Sequence, residues 1–171
     1  MSPVDGAPGA STLVEAARWL LSSAESRGLT VAVAESLTGG KVVSTLVSVP
    51  GASAVVVGGV VAYATRIKAQ VLGVDARRLE RTGPVDGEVA KQMASGVAAL
   101  MGAGLGLATT GVAGPGPADG HRAGTVHVAV ASSWGTVSRE LHLDGDRTQV
   151  RDGATTAVLA LAVALLDAAE A

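Results

Sequence analysis

The run Val31-Ala32-Val33-Ala34-Glu35-Ser36-Leu37-Thr38-Gly39-Gly40 delivers a hydroxyl to the end of an apolar strand, just where a glycine pair lets the chain turn. Residues 30–34 alternate and carry β-branches, the pattern of a buried parallel strand. Gly39-Gly40 tolerates unusual dihedrals and close backbone approach. Ser36 is therefore expected near a helix N-terminus. Unpaired N–H groups there, around Thr38, Gly39 and Gly40, could hold a phosphate or the negative oxygen formed when a carbonyl is attacked. The plainer account of Ser36 is a helix-capping hydroxyl. Glu35 beside it could supply a first-turn charge or orient a donor, but a lone carboxylate does not indicate glycoside hydrolysis.

A hydroxyl is a weak nucleophile until a base takes its proton. No histidine falls at a comparable strand end, and Lys68, just after the second strand, is the best candidate. A lysine in a low-dielectric pocket loses enough basicity to act at neutral pH, whereas a solvated one does not. Tyr63, the only tyrosine, closes the same strand, and its hydroxyl could relay or orient a proton between Ser36 and Lys68. Packing is its alternative role.

A second cluster lies later in the chain. Strand 105–110 runs into Gly111-Val112-Ala113-Gly114-Pro115-Gly116-Pro117-Ala118-Asp119-Gly120, read as a functional loop without regular structure. It matches neither a dinucleotide fingerprint nor a nucleotide-triphosphate loop, though its N–H groups could form an anion nest. Thr110 at the junction could hold a carboxamide or phosphate. Arg147 and Arg151 are four apart at the start of the last helix, where positive charge opposes the macrodipole; a substrate phosphate would relieve the mismatch, as would pairing with Asp144 or Asp146. His127 and His142 are expected to face each other across a hairpin without a metal, for want of a third ligand.

These residues need a scaffold. The expected elements are a helix capped by Ser11 or Thr12 and stopped at Gly28, strand 30–34, a helix through residues 42–47 and strand 55–62 with a weakening Gly58-Gly59 pair. A short helix 66–72, connecting structure 74–82 and a helix capped by Asp86 come next. After strand 105–110, strands 125–132 and 136–143 form a hairpin about Trp134-Gly135, with Val126, Val128, Val130, Leu141 and Leu143 on the core face. A final helix runs from 147 to 169. The order predicts a single-domain α/β sandwich, a mixed sheet with helices on its faces, spanning 11–169 behind a loose lead-in, 1–10.

Composition narrows the function. With 48% hydrophobic residues but no Phe, the core must be built from Val, Leu and Ala. A net charge of −2 and 2% aromatics offer neither a field nor a stacking platform for nucleic acid. The absence of cysteine rules out a thiolate nucleophile and is compatible with a reducing, cytoplasmic location. The apolar run 154–166 falls short of a bilayer span, so no membrane partner is expected. The apolar helices could also hide a homo-oligomer interface.

Taken together, Ala34-Glu35-Ser36-Leu37-Thr38-Gly39-Gly40, Tyr63 with Lys68-Ala69-Gln70, Thr110-Gly111-Val112-Ala113-Gly114-Pro115, Gly124-Thr125-Val126 and Gly145-Asp146-Arg147 resemble the CinA C-terminal domain family. The similarity covers residues 13–166. It implies a single α/β domain and, from the stand-alone nicotinamide-nucleotide amidase type, hydrolysis of nicotinamide mononucleotide to nicotinate mononucleotide and ammonia without cofactor or metal. By that resemblance Ser36 is the nucleophile, Tyr63 and Lys68 handle its proton, Thr110 lines the pocket, and Arg147 or Arg151 holds the phosphate. The alternative is a non-catalytic nucleotide-binding or scaffold domain of the same fold.

Overall fold

The computed structural model describes residues 10–169, so all but the last residue of the expected lead-in lies outside the described residues. Five strands form one mixed sheet in the order β2-β1-β3-β4-β5. β1 (Val31–Glu35) pairs in parallel with β2 (Val56–Val61) and β3 (Leu105–Gly111), while β4 (Thr125–Ser132) and β5 (Gly135–His142) join antiparallel. The α/β class and the helix-covered mixed sheet are as the sequence predicts.

The alternation in the parallel strands decides what lies on each face. Val31, Val33, Leu105 and Leu107 enter a core with α1 (Ala10–Ser26), α2 (Lys41–Val47) and α6 (Arg147–Ala168), joined there by Val126, Val128 and Val130. The opposite face carries Ala32, Ala34, Ala108, Ala129 and Ala131. These small residues let α5 (Gly87–Met101) lie close on the sheet, with α3 (Thr65–Leu72) and α4 (Ala76–Thr82) beside it. At Gly106 a Cβ would collide with the carbonyl of Ala94 in α5, so that strand position requires glycine. Of the Gly58-Gly59 pair, Gly59 is the crowded position: a Cβ there would strike the Val43 side chain and come within 3.1 Å of the Val33 carbonyl.

Several local expectations are corrected. α1 begins at Ala10, which puts Ser11 and Thr12 inside the helix rather than at its cap. The connecting structure at 74–82 contains α4, capped by the Asp75 carboxylate accepting from Arg77 N–H at 2.9 Å. The hairpin turns about Ser133-Trp134, one residue earlier than expected. Thus His127 opposes Glu140, and His142 opposes Thr125. A two-residue slip in partner preserves the face, so the valines remain in the core.

Two helix starts are capped by Asp side chains, the first as expected from sequence and the second an addition. Asp86 accepts from Glu88 and Val89 N–H at the start of α5, and Asp146 forms a reciprocal capping box with Gln149 at the start of α6. α6 is long and apolar enough, by length and composition alone, to cross a membrane. In this fold it buries Val150, Ala154, Val158, Leu159 and Leu166 against α1 and the sheet, as a core helix does.

Candidate active site

β1 lies between β2 and β3, and the chain leaves it first to one neighbour and then crosses to the other. Open parallel sheets form clefts at the carboxyl ends of strands beside such a reversal. A cavity of about 300 Å³ opens at those ends in this protein, bordered by Ser36, Tyr63, Lys68, Thr110, Asp119 and Arg147 among others.

Ser36 immediately follows β1 and donates its N–H to the Thr109 carbonyl of β3 at 3.1 Å. Lys68, on the fourth residue of α3, reaches back toward the end of β2. Its Nζ lies 3.0 Å from Ser36 Oγ, 2.7 Å from the Ala62 carbonyl and 3.3 Å from the Tyr63 carbonyl. Both carbonyls can only accept, so they engage two amine hydrogens. In the neutral amine the remaining tetrahedral direction is the lone pair, directed at the Ser36 hydroxyl. Lys68 is 1% exposed, and burial lowers its pKa from the usual value to about 8, against an opposing pull from the Asp119 carboxylate. Roughly a tenth of the amine is then neutral at pH 7.

The turn after Ser36 differs from the expected anion cradle. Glu35 is fully buried, and its two carboxylate oxygens accept from Gly40, Val42 and Val43 N–H at 2.9–3.1 Å. The carboxylate thus takes the place at the N-terminus of α2 where an anionic ligand was expected. Gly39 N–H is bonded to the Ser36 carbonyl. Thr38 is buried with its hydroxyl 2.7 Å from that of Thr109. Glu35, Thr38, Gly39 and Gly40 therefore build the turn and stand outside the cavity wall.

The two arginines separate as well. Arg147 borders the cavity, donating to the Gly114 carbonyl at 2.7 Å and to the Tyr63 hydroxyl at 3.3 Å. Arg151 instead donates to the Leu37 and Thr38 carbonyls at 3.0 and 2.8 Å and lies outside the wall. The Tyr63 phenol is correspondingly at the exposed rim with Arg147, not between Ser36 and Lys68, which meet directly. It is the Tyr63 backbone carbonyl that touches the amine. Thr110 lines the cavity and donates its hydroxyl to the Pro84 carbonyl at 2.7 Å, tying β3 to the segment before α5. Gly111 and Gly114 are in the wall.

Sequence reasoning passed over Asp119 and Thr65. Asp119-Gly120 is a hairpin-turn dipeptide, a signal that was present but submerged in a Pro/Gly-rich run. Among the described residues no group of three or more His, Asp or Glu side chains is placed to hold a metal.

The CinA C-terminal domain model matches residues 14–166. The chain belongs to the CinA C-terminal domain family. It is 49% identical over 135 residues to a CinA-like protein of Frankia casuarinae, covering 79% of this chain and 31% of that one. A CinA-like protein of Geobacter metallireducens is 43% identical over 135 residues, 78% of this chain and 32% of the relative. The chain thus spans about a third of the length of the curated relatives it matches. The fold matches the crystal structure of competence/damage inducible protein CihA from Agrobacterium tumefaciens with a TM-score of 0.86 and 34% identity, over 96% of this chain and 99% of that one. A CinA superfamily protein from Klebsiella pneumoniae matches with a TM-score of 0.87 and 29% identity, over 91% and 98%.

Proposed function

We propose that this CinA-family domain is an amidohydrolase that converts nicotinamide mononucleotide to nicotinate mononucleotide and ammonia. The observation that carries the reading is the Lys68 amine 3.0 Å from the Ser36 hydroxyl, with two backbone carbonyls engaging its other hydrogens. Such an amine is a base with a fixed direction, and burial brings its pKa to about 8, close to the pH at which it must work.

The neutral Lys68 amine takes the Ser36 proton as Oγ bonds to the carboxamide carbon. The carbonyl π pair moves to oxygen, and the backbone N–H groups of Ala113, Gly114 and Gly116 in the cavity wall supply stabilising donors, those of Gly39 and Gly40 being engaged. The Lys68 ammonium returns its proton to the departing nitrogen, the C–N bond breaks and ammonia leaves. Water then adds to the acyl-serine ester with Lys68 again taking a proton, and collapse frees the acid and Ser36. The bond sequence uses only this chain's side chains, the substrate and water.

Arg147 is the cavity's permanent cation and the better candidate of the two arginines for the substrate phosphate. Phosphate binding would orient the distant carboxamide, so nicotinamide without its nucleotide should react poorly. The direct test is incubation with nicotinamide mononucleotide while ammonia and nicotinate mononucleotide are followed. Equimolar release of both supports the reading. Binding without release would instead favour a non-catalytic nucleotide-binding domain.

A further inference from the structure

The cavity wall contains one carboxylate, Asp119. Asp119 and Gly120 have φ of 51° and 79°, and Ala118 and His121 close on each other through N–H···O bonds of 3.0 and 2.9 Å. This is a two-residue hairpin turn with both central residues left-handed, the conformation that Asp-Gly favours. Asp119 is the one non-glycine residue of positive φ among the described residues. Its Cβ packs toward Gly83, beside Pro84 and Val85 of the same wall. Among the described residues no hydrogen bond ties down its carboxylate, which is left exposed at the mouth. A closed turn therefore presents a free negative charge to the cleft.

The other ionisable groups in the wall make that charge distinctive. Arg147 is always positive, and Lys68 must be neutral to accept the Ser36 proton. A wall with one fixed cation and one anion complements a ligand that is itself anionic at one end and cationic at the other. The carboxamide that reaches Ser36 is bonded directly to its ring, so the ring lies within a few ångströms of the reacting centre, inside the field of Asp119.

We propose that Asp119 is a specificity-determining residue that offsets the positive charge of a quaternary pyridinium ring, so that the cleft prefers a zwitterionic nucleotide to the same amide on a neutral ring. The inference rests on the amidohydrolase reading above. At this position the carboxylate also exerts an upward pull on the Lys68 pKa, against the larger downward effect of burial.

The test measures dissociation constants by calorimetry in a Ser36→Ala background, with and without Asp119→Asn. Asn retains the left-handed turn preference and removes only the charge. The probes are nicotinamide mononucleotide and its 1,4-dihydropyridine form, which keeps the carboxamide, ribose and phosphate but has an uncharged ring. Asp119→Asn should reduce the preference for the charged ring roughly fivefold, the scale of an exposed ion pair. An unchanged preference, equal weakening of both probes, or no binding of either overturns the proposal. Ammonia release by the unmodified protein tests the amidohydrolase reading separately: release with an unchanged preference sinks this inference alone. Asp119→Asn in the otherwise native protein should also move the acid limb of the pH–rate profile to lower pH, because the amine loses a neighbour that favours its charged form. An unmoved limb puts the carboxylate out of electrostatic reach of Ser36 and likewise overturns the assignment.

Discussion

The turn at 35–41 and the loop at 111–124 border the same cleft and use their backbone groups in opposite ways. In the first, Glu35 holds three N–H groups, Arg151 holds two carbonyls, and Gly39 and Lys41 N–H close on Ser36 and Thr38 carbonyls. In the second, residues 115–120 are exposed and interrupted by Pro115 and Pro117. The loop is held at its base by Val112 bonds to Thr125 and Gly124, at its tip by the Ala118–His121 pair and in between by Arg147 on Gly114. A turn tied at this many points, with Ser36, Leu37 and Thr38 buried, gives Ser36 one position relative to Lys68. A loop with spare donors and exposed side chains is suited to contacting a ligand. The physical division is between holding the reacting atoms and recognising what is brought to them.

Removing the reacting atoms should give the largest effect. Ser36→Ala is expected to lower ammonia release by about 10⁴-fold or more, with the thermal midpoint nearly unchanged. Retained turnover would eliminate the nucleophile. Lys68→Met should lower it by about 10² to 10⁴-fold. In the native protein the rate should rise as pH climbs through about 8, since only the neutral amine accepts a proton. The same burial predicts a stability signature. Folding lowers the Lys68 pKa from 10.5 to about 8, so between those values the unfolded chain binds more protons and stability rises with pH. Below pH 8 the burial cost is fully present. Relative to Lys68→Met, the native protein should therefore gain on the order of 3 kcal/mol from pH 8 to 10.5 in denaturant unfolding. A flat difference across that window would mean that the amine is as well solvated as a surface lysine.

Glu35 tests the tied turn itself. Glu35→Gln keeps the shape but directs an amide donor at backbone N–H groups that have no other acceptor in the turn. The expected loss is about 2 to 4 kcal/mol of unfolding free energy, read from urea melts. Turnover should fall with it because Ser36 is the next residue. A variant of native stability would show that the α2 N-terminus does not depend on the carboxylate.

Much of this division was legible in the chain, but unevenly. Val/Ala alternation in 31–34 and the Asp86 cap are local signals, and the structure uses them as read, whereas Asp146, read as a partner for the arginines, instead caps α6. The meeting of Ser36 with Lys68 was suggested by their common place beyond strand ends. The carbonyls of Ala62 and Tyr63 that direct the amine are backbone atoms and leave no residue-type signal. Glu35 does supply charge at the first turn of α2, as one of its two readings had it, but it stands outside the cavity wall; sequence shows a carboxylate beside a serine, not the curl of the following residues that brings Gly40, Val42 and Val43 N–H onto it. His127 was paired with the wrong residue because hairpin register depends on which two residues form the turn, and Trp134-Gly135 outweighed Ser133-Trp134 by the usual glycine preference. α4 was missed since its one buried apolar side chain, Leu79, gives no periodicity.

The smallest expected effects provide the sharpest contrast, because they compare two identical side chains one helical turn apart. Arg151 donates to two carbonyls of the turn after Ser36, so Arg151→Ala should cost about 1 to 3 kcal/mol of stability and weaken all substrates alike. Arg147 sits at the exposed rim, so Arg147→Ala should leave urea melts within about 0.5 kcal/mol of native. Its loss should raise KM about tenfold for the phosphorylated substrate while leaving the dephosphorylated riboside nearly unaffected. Comparing both variants on both substrates separates anchoring from recognition without a structure of either. A phosphate-specific loss in Arg151→Ala, or a stability loss confined to Arg147→Ala, would reverse the assignment of the two regions.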